Sequence, residues 1–394
     1  MRNISDKYTV IHIIPFFESY QGYEEDLLSR YQAKDGNKVI LITSFLNPGK
    51  EGRSFLKRFN FQLCKFDKGR FIFRLPCVLI PSKLSFLIGA SIFLIFFKYD
   101  FLHLHGLLNP LGPIYALIAR LRGKKVISDN HDFIYSTHQL AKSDNLYLCL
   151  RKIEFIFFRK FIGSVQLFLS NKVIAYENKC TEFLRDFYKY KGKIFQAKIG
   201  YEDDLFFPEE KYEIKNKIVN LGFAGQISQR KKPNVLLEIL YLLPSNYKLK
   251  MIGSWDKKVL SSFLRKAEEL NLKERLSIIG EINYLNLNKY FKQIDLAIYL
   301  NSSSISCQQF LGSGVPILVD KNQQFASSAN FYGEAMAYKS DIEKIKKTVY
   351  WIKNNLKNFP KLTKGDLKHK KIIHELSYLS SYKKIISYAY LLNR

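Results

Sequence analysis

The segment 294–320 constrains the fold of this chain more than any other stretch. It opens with the apolar run IDLAIYL at 294–300, passes through a serine-rich turn, and ends with a second apolar run at 317–319. Such runs, free of turn-forming residues, are typical of buried parallel strands. The segment therefore predicts two neighbouring strands of an α/β protein and the element that connects them.

The connecting element has the signals of a short helix that begins near Cys307. Ser304 or Ser306 is expected to cap its N-terminus, and Gly312 and Gly314 are expected to end it. Helix amides at the carboxyl end of a strand are where open α/β sheets bind phosphate groups. The pattern is compatible with such a site, and also with an ordinary crossover that binds nothing.

Length and composition indicate a two-domain globular protein. The 394 residues suffice for two domains of ordinary size, and 47% hydrophobic with 25% charged residues excludes a disordered or fibrous chain. The net charge of +27 favours anionic partners such as nucleotide phosphates or anionic lipid. Part of this charge belongs to a general excess of Lys, Ile, Asn, Phe and Tyr, so nucleic acid is not predicted as a partner.

Cysteine usage and the apolar segments favour a cytoplasmic protein. The five cysteines are scattered without metal-ligand spacing, as expected in a reducing compartment. The N-terminal apolar run has the length of a strand and no small-residue cleavage site, so we do not expect a signal peptide. The longest apolar stretch, 84–97, is shorter than the roughly 20 residues that a bilayer requires and predicts a buried or interfacial helix.

Residues 50–74 combine cations with aromatic side chains. They hold eight Lys or Arg residues against two acidic ones, with six Phe residues between them. Cations with aromatic wedges are typical of a segment that lies at an anionic membrane. The alternative is a solvated basic surface whose aromatic side chains face the core.

The N-terminal half reads as alternating strands and helices. Strands at 8–14 and 38–43 flank a helical pattern, and Gly22 lies in the turn before that helix. A residue without a Cβ lets a phosphate approach the backbone, although a single turn glycine without a GxGxxG pattern is also common in turns that bind nothing. An aromatic-rich helix at 147–163 and a strand at 172–176 continue the alternation.

Polar residues follow two further strands at the point where each strand ends. The run FLHLHG at 101–106 ends in His-x-His-Gly, and 124–133 ends with Asp129, His131 and Asp132. The spacing does not match known zinc motifs, so no metal is predicted. We instead expect His131 to act as a hydrogen-bonding or acid/base group in a cleft.

A charged segment at 200–217 is interpreted as an interdomain linker, and a second α/β series follows it. Its strands are predicted at 218–225, 248–252, 276–279, 294–300 and 317–319, with helices at 234–243, 257–271 and 285–293 and a helical last stretch of about 50 residues. The chain is therefore predicted to be α/β, with two Rossmann-like doubly wound domains.

The order and spacing of these motifs resemble the family 4 glycosyltransferases of the GT-B fold, over nearly the whole chain. The motifs concerned are the Gly22 turn, FLHLHG, SDNHDF, IGYEDDLFFP at 199–208, GFAGQISQRKKP at 222–233 and the segment 301–316. The resemblance implies two domains facing a central cleft. Residues 1–200 would bind the acceptor and 201–377 the nucleotide-sugar donor, with helix 378–394 packing back onto the first domain.

The resemblance also implies roles for particular residues. The lysine that binds the donor diphosphate in the family falls on Lys231, and the accompanying arginine falls on Gln226, where Arg230 could compensate. The family's two glutamates, which have seven residues between them, fall on Asn301 and Gln309. These amides can still bind a ribose diol, but they carry no negative charge.

The remaining expected site residues come from the same comparison of motifs. Gly22 matches a loop near the donor phosphates, and His131 matches a histidine near the transferred sugar. Gly225, Ser304 and Ser306 lie in the turns around the diphosphate, where Lys231 and helix amides near Ser306 would stabilise the leaving group without a metal.

The resemblance implies that the protein transfers a sugar from a nucleotide-sugar donor to a lipid-linked glycan acceptor. This reaction would belong to the synthesis of a cell-surface polysaccharide. The enzyme would be metal-independent and retaining, without a cofactor, and peripheral at the inner face of the cytoplasmic membrane. Two alternatives remain on the same fold. The amides at Asn301 and Gln309 allow a non-catalytic nucleotide- or glycan-binding relative, and a nucleotide-sugar epimerase would convert donor without acceptor.

Overall fold

The computed structural model describes residues 7–20, 22–45, 62–80, 84–87, 89–107, 109–131, 159–210, 218–301 and 303–390. The chain divides into two compact units. Unit 1 comprises Met1–Ile199 with Ser381–Arg394, and unit 2 comprises Gly200–Ser380.

Unit 1 is built on a mostly parallel sheet. Its described strands are β1 (Thr9–Ile13), β2 (Lys38–Ser44), β3 (Cys64–Asp67), β4 (Arg70–Leu75), β5 (Cys77–Ile80), β6 (Leu84–Leu87), β7 (Phe101–Leu104), β8 (Lys125–Asn130), β9 (Lys172–Tyr176) and β10 (Ile194–Ala197). Eight of them form one sheet in the order β10-β9-β8-β7-β1-β2-β4-β3, and β5 pairs with β6 separately. Only β3 runs antiparallel to its neighbour in the large sheet. Because β1 pairs with both β2 and β7, the strand order reverses at β1, where ligands bind at the carboxyl ends of such sheets.

Helices cover this sheet because its central strands are apolar on both faces. They are α1 (Glu24–Lys34), α2 (Ala90–Phe96), α3 (Gly112–Leu121) and α4 (Asn178–Asp186), with further helical residues at 159–169. Ile11, Ile40 and Leu102 from three adjacent strands are buried with Tyr115 and Ala116 of α3. Burial on both faces is what the uninterrupted apolar runs of the sequence predict.

The prediction of a helix over 84–97 is wrong in its first part. Leu84–Leu87 is strand β6, paired antiparallel with β5, and only Ala90–Phe96 is helical. Gly89 between them has a φ of 91°, which a continuous right-handed helix cannot contain.

The interpretation of 50–74 as a membrane segment is wrong for two of its cations. The Arg70 side chain is fully buried, with Nη1 2.8 Å from Asp26 Oδ1 and Nη2 2.6 Å from Asp67 Oδ2. Arg74 is also buried and donates to the carbonyl oxygens of Ser44 and Phe17. These two guanidinium groups hold β4 to its neighbours and are not available to a lipid surface, and residues 50–61 lie outside the described part of the chain.

Unit 2 contains a six-stranded sheet that is parallel throughout. Its strands are β11 (Val219–Ala224), β12 (Tyr247–Ile252), β13 (Leu276–Ile279), β14 (Leu296–Tyr299), β15 (Ile317–Asp320) and β16 (Gly333–Met336). Their order is β13-β12-β11-β14-β15-β16, so the strand order reverses between β11 and β14. The five strands predicted for this half are confirmed, and β16 was not predicted. With unit 1, this sheet confirms the predicted α/β class of two doubly wound, Rossmann-like units.

The helices of unit 2 alternate with its strands. They are α5 (Asn234–Tyr241), α6 (Lys257–Glu269), α7 (Leu287–Phe291), α8 (Ser306–Gly312), α9 (Asp341–Asn355) and α10 (Leu367–Leu376). Two begin at side-chain caps, since Asp256 accepts from the amides of Lys258 and Val259 and Ser340 accepts from the amide of Glu343.

The predicted serine cap of α8 is wrong. Its N-cap residue is Ile305, which makes no side-chain capping bond. The amides of Cys307 and Gln308 donate to the carbonyl oxygens of Ser304 and Ile305. These amides are therefore not free to bind an anion, contrary to the expectation from sequence.

The described part of the predicted linker, residues 200–210, packs within unit 2. The Gly200 amide donates to Gln308 Oε1 at 2.8 Å, and Tyr201 forms a β-bridge with Ser377. Tyr201 and Phe206 are fully buried. The Gly and Pro residues of this segment thus mark a packed turn rather than an exposed connector.

The last helix is α11 (Tyr378–Ala389). Within unit 1, its Tyr382 hydroxyl donates to Asp35 Oδ2 at 2.6 Å, and the ring of Tyr390 stacks on Tyr8 with centroids 5.4 Å apart. Tyr390 also hydrogen-bonds to His103 of β7. Among the described residues, no helix has the length and apolar character needed to cross a membrane.

Candidate functional site

The unit 2 site lies at the carboxyl ends of β11 and β14, where the strand order reverses. Gly225 follows β11 with a φ of 130°. A Cβ atom placed there would lie 3.2 Å from Lys231 Nζ and 3.3 Å from Ser304 Oγ. The glycine therefore provides both the backbone conformation and the space that bring the lysine and the serine turn together.

Lys231 is a partly buried cation in this turn. It ends a 3-10 turn, Gln229–Lys231, and its Nζ lies 5.1 Å from the centroid of the Phe223 ring. Burial, and secondarily the charge of Arg230, lower the pKa of Lys231 to about 8. No carboxylate pairs with it among the described residues. A cation in this state is stabilised by an anion that enters the site.

A cluster of hydroxyl groups holds the serine turn against β11. The Tyr299 hydroxyl donates to the carbonyl oxygen of Ala224 at 3.0 Å, and the Ser306 hydroxyl donates to the same oxygen at 2.9 Å. The hydroxyls of Ser304 and Ser306 hydrogen-bond to each other. In this structure the two serines therefore position the turn, and their predicted contact with substrate stays a prediction.

Asn301, which takes the position of the family's first glutamate, faces a buried lysine. Its Oδ1 accepts from Lys344 Nζ at 2.5 Å, and its Nδ2 donates to the carbonyl oxygen of Lys231 at 3.4 Å. Lys344 also lies 3.6 Å from Asp320 and 3.8 Å from Asp341. Since these two carboxylates already balance Lys344, a neutral amide completes its hydrogen bonding without adding a third negative charge.

Gln308 and Gln309 are adjacent on α8 and both are buried, but their side chains differ in function. Gln308 accepts from the Gly200 amide and donates to Ser328 Oγ at 3.2 Å. The Gln309 side chain has no hydrogen-bond partner among the described residues, although the residue is only 2% exposed. Gln308 is thus a structural amide, and a contact between Gln309 and the donor stays a prediction.

The other predicted residues of unit 2 lie on the same turn. Gln226 and Arg230 fall between Gly225 and Lys231 and are exposed. The structure thus brings Gly225, Lys231, Asn301, Ser304 and Ser306 together and places Gln226 and Arg230 at the surface beside them. Lys344 was missed because a lysine inside a helix carries no sequence signal of its contacts.

The unit 1 site lies at the carboxyl ends of β7 and β8 and at the start of α1. His131 Nε2 lies 3.1 Å from Glu24 Oε2 and 3.1 Å from Asp129 Oδ1. His105 Nδ1 lies 2.6 Å from Asp129 Oδ2 and 3.8 Å from Glu24 Oε2. Gly22, with a φ of 71°, precedes Glu24 by two residues, so this predicted residue lies beside the His131 cluster.

Side chains behind this cluster fix its members. His105 Nε2 is 2.8 Å from His12 Nδ1, whose own Nε2 is 2.8 Å from Gln32 Oε1. The Tyr176 hydroxyl donates to Glu24 Oε1, and its ring stacks on His131 with centroids 4.7 Å apart. The carboxylate and the imidazoles are therefore held by packing as well as by charge.

The histidines of this region differ in the direction in which their pKa is shifted. Burial lowers the pKa of His12 and His103 below the usual range. Burial acts in the same direction on His131, but the Asp129 and Glu24 carboxylates outweigh it and raise its pKa well above the usual range. The charges of His105 and His131 in turn overcome the effect of burial on Asp129 and hold its pKa well below the usual range. The cluster is thus arranged to carry charge at His131.

Sequence reasoning missed Glu24, His12 and Tyr176. Their one available signal is position, because each lies near the carboxyl end of a parallel strand or at the helix that follows one, and these ends meet at one edge of a sheet. Asp132, which was grouped with Asp129 and His131, lies outside the described residues.

Comparison with known proteins finds a family match within unit 2. The model of the family described as Glycosyl transferases group 1 matches residues 204–358. That range contains Lys231, Asn301 and Gln309. Comparison with curated proteins gives no significant sequence match.

Solved structures share the fold along the whole chain. Sucrose-phosphate synthase from Thermosynechococcus elongatus is 13% identical with a TM-score of 0.69, covering 97% of this chain and 98% of that one. Anabaena HepE in complex with UDP-glucose is 9% identical with a TM-score of 0.66, covering 96% and 98%. The lipopolysaccharide outer core galactosyltransferase WaaB is 11% identical with a TM-score of 0.62, covering 97% and 100%.

These identities are low and show the fold alone, which is the predicted GT-B arrangement of two Rossmann-like domains. The family match over residues 204–358, with this shared fold, supports a glycosyltransferase. Membership in family 4 remains a prediction from the sequence motifs.

Proposed function

We propose that this protein transfers a sugar from a nucleotide-sugar donor to a lipid-linked glycan, with the donor diphosphate bound by Lys231. The observation that carries the proposal is Lys231 itself, a partly buried cation with a pKa lowered to about 8 and no carboxylate partner among the described residues. It lies inside the range that matches the glycosyltransferase family model. HepE, which shares the fold, has been crystallised with UDP and with UDP-glucose.

The proposed chemistry follows from the negative charge that develops on the leaving nucleoside diphosphate. Breaking the bond between sugar and phosphate leaves negative charge on a nucleoside diphosphate, and a positioned cation stabilises that charge as it develops. Lys231 supplies the cation that a metal ion provides in other transferases. By resemblance alone, we assign His131 a role near the transferred sugar and Gly22 a role near the phosphates, and we assign retention of configuration on the same ground.

A nucleotide screen tests the proposal. The protein is heated with UDP, ADP, GDP and their glucose conjugates in turn, and unfolding is followed by fluorescence. A ligand at 100 times its Kd stabilises the folded state by about 2.7 kcal/mol, so we expect one base to raise Tm clearly above the others. The absence of a shift with every nucleotide would overturn the assignment of unit 2 as a donor site.

Turnover separates the enzyme from its alternatives. An active transferase slowly releases sugar from the matching donor even without acceptor, whereas a non-catalytic relative binds donor without releasing sugar. An epimerase converts the donor to a different nucleotide sugar. The amides at Asn301 and Gln309 are the observation that favours the non-catalytic alternative, so this measurement is made on the unmodified chain.

Gln309 gives a prediction for donor affinity. If its side chain binds the ribose hydroxyls, Gln309→Ala weakens nucleoside diphosphate binding by about 0.5–1.5 kcal/mol, the value of a neutral hydrogen bond. Gln309→Glu is expected to retain or improve affinity, because a carboxylate accepts stronger bonds from hydroxyls. Calorimetric titration of the three proteins measures this.

The neighbouring glutamine is the matched control. Gln308→Ala removes bonds to Gly200 and Ser328 and is expected to lower Tm while leaving nucleotide affinity unchanged. If Gln309→Ala keeps wild-type affinity, Gln309 does not contact the donor.

An apolar surface on unit 1 supports a membrane-bound acceptor. The C-terminal ends of α2 and α3 lie side by side, since Arg122 Nη1 donates to the Phe97 carbonyl oxygen at 2.8 Å. Large apolar side chains of these two helices are exposed, and we call them the α2–α3 apolar surface: Ile92, Ile95, Phe96, Phe97, Ile114, Leu117 and Leu121. Lys98 and Arg120 are exposed in the same segments. Apolar side chains with adjacent cations are suited to an anionic bilayer surface.

Vesicle flotation tests this surface. We expect the protein to float with vesicles containing phosphatidylglycerol at low salt and to be released as salt rises, because each cation near the surface contributes about 1 kcal/mol. Replacing Phe96 and Leu121 by Asp should reduce binding at least tenfold, since burying one such side chain contributes about 1.5–3 kcal/mol.

Leu367→Asp serves as the control, because Leu367 is an equally exposed apolar residue of unit 2. It should leave flotation unchanged. If flotation does not depend on the charge of the lipid, or if the variant with Asp at positions 96 and 121 still binds vesicles, the proposed peripheral membrane location loses its support.

A further inference from the structure

The His131 cluster contains four polar atoms that approach a common point. Glu24, His105, Asp129 and His131 each offer one ligand atom, and these atoms all lie within 4.8 Å of one another. The contacts between them include separations of 2.6, 3.1 and 3.8 Å. Nitrogen and oxygen ligands at about 2.0–2.1 Å from a tetrahedral Zn²⁺ are separated by roughly 3.3 Å, which lies within the range of these separations. The 2.6 Å contact between His105 and Asp129 has to lengthen for an ion to enter.

The four groups are paired by charge, but their contacts are not aligned as hydrogen bonds. Glu24 Oε2, His105 Nδ1, Asp129 Oδ2 and His131 Nε2 are all buried and contact one another as ion pairs, and His103 Nε2 also lies 3.0 Å from Asp129 Oδ2. None of these contacts among the described residues has the alignment of a hydrogen bond. Atoms that are close together but not aligned as donor and acceptor share the space between them, which is how the ligands of a metal ion are arranged.

The opposite atoms of the same side chains are held by other groups. His105 Nε2 bonds to His12 Nδ1, and the Glu24 Oε1 atom accepts from Tyr176. Asp129 Oδ1 accepts from the Gly106 amide at 2.9 Å. Metal ligands are oriented by hydrogen bonds of this kind on the atom that does not bind the ion.

We propose that Glu24, His105, Asp129 and His131 form a binding site for one divalent transition-metal ion, of which Zn²⁺ is the best match. Two imidazoles and two carboxylates are common zinc ligands, and the two carboxylates balance the charge of the ion. The His131 side chain is 31% exposed, which gives the ion a path into an otherwise buried site. The spacing of these residues in sequence gave no indication of zinc because the ligands come from three separate elements.

The proposal reaches beyond sugar transfer and predicts regulation of it. An ion bound to His131 Nε2 prevents that nitrogen from contacting a sugar, so metal binding and the role proposed for His131 exclude each other. Zn²⁺ should therefore inhibit transfer while leaving nucleoside diphosphate binding at Lys231 unchanged. Calorimetry of the nucleotide with and without Zn²⁺ distinguishes failure of this proposal from failure of the proposed donor site.

Competition with a chromophoric chelator tests the site directly. Full-length protein stripped of metal is titrated with Zn²⁺, and we expect one ion per chain to be withdrawn from the chelator. Glu24→Gln and His131→Asn should each weaken binding by about 100-fold or more, while Tyr176→Phe, which leaves every ligand in place, should weaken it by about 10- to 100-fold. Circular dichroism establishes that each variant is folded.

His374→Asn is the matched control. His374 is exposed on α10 and lies 3.3 Å from Glu375 as an ordinary surface pair, so its removal should not change binding. His131 is the most exposed of the four ligands, which keeps His131→Asn informative even if Glu24→Gln does not fold. Wild-type protein that withdraws no Zn²⁺, or that loses affinity equally in the His374 variant, would overturn the proposal.

Discussion

Lys231→Ala is expected to reduce turnover of the nucleotide-sugar donor by about 100- to 1,000-fold, the usual cost of removing one group that stabilises developing negative charge. The structure places this cation at the carboxyl end of β11, beside Gly225 and Ser304. The initial rate of sugar transfer at saturating donor is the measurement.

The fold should survive this change, because Lys231 makes no ion pair among the described residues and its charged form is disfavoured by burial. Lys258→Ala controls for loss of a cation from the same unit, since Lys258 is exposed at the start of α6. It should turn over donor at the wild-type rate. A Lys231→Ala enzyme with unchanged turnover would show that the diphosphate binds elsewhere.

The fold was predictable wherever burial decides it. The strands of unit 2 are nearly continuous runs of apolar residues, and residues buried on both faces of a parallel sheet have that pattern regardless of their neighbours. The same reasoning located β1, β2, β7, β8 and β9 in unit 1. It missed β16, because Gly333–Met336 carries a charged residue and few strand-forming side chains.

Prediction from the sequence failed where the local structure depends on which of several hydrogen-bond partners a residue selects, or on partners distant in the chain. The apolar stretch 84–97 has no periodicity that distinguishes a strand from a helix. Its first residues form a strand because they pair with β5 as β6. Ser304 and Ser306 are good helix caps by composition, but their hydroxyls bond instead to each other and to Ala224. A sequence motif cannot reveal that a serine hydroxyl donates to a carbonyl oxygen of another strand instead of accepting from a helix amide.

The candidate site was predictable as a set of positions but not as chemistry. Motif spacing predicted Lys231, Asn301 and Gln309 as one site, of which the structure brings Lys231 and Asn301 together, and it predicted a role for His131. It could not show that Lys344 binds Asn301 or that Glu24 contacts His131, because both partners come from helices distant in sequence. The contrast between Gln308 and Gln309 is likewise visible only in three dimensions.

Lys231 also predicts how nucleotide affinity depends on pH. In the free protein its pKa is lowered to about 8, and a bound diphosphate raises that pKa again by favouring the charged form. Below pH 8 the lysine is charged in both states, so affinity is constant. Above pH 8 binding must take up a proton, and affinity should fall about tenfold per pH unit until the pKa of the complex is reached.

The folded state responds to pH in the opposite direction. An unfolded chain has a lysine pKa of about 10.4, so between pH 8 and that value the unfolded state binds more protons at this position than the folded state does. Its contribution to the free energy of unfolding therefore rises with pH over this window. Loss of nucleotide affinity above pH 8 cannot then be attributed to unfolding caused by this residue.

Calorimetric titration of the nucleoside diphosphate at pH 7, 8 and 9 measures the effect, because the terminal phosphate, with a pKa of about 6, is already ionised throughout this range. Lys231→Arg is the matched control, since a guanidinium remains charged at every pH in the series. We expect its affinity to be independent of pH, even if Arg binds less tightly than Lys at pH 7. A flat profile for the wild-type protein, or a slope that the Arg variant shares, would mean that the group losing its charge is not Lys231.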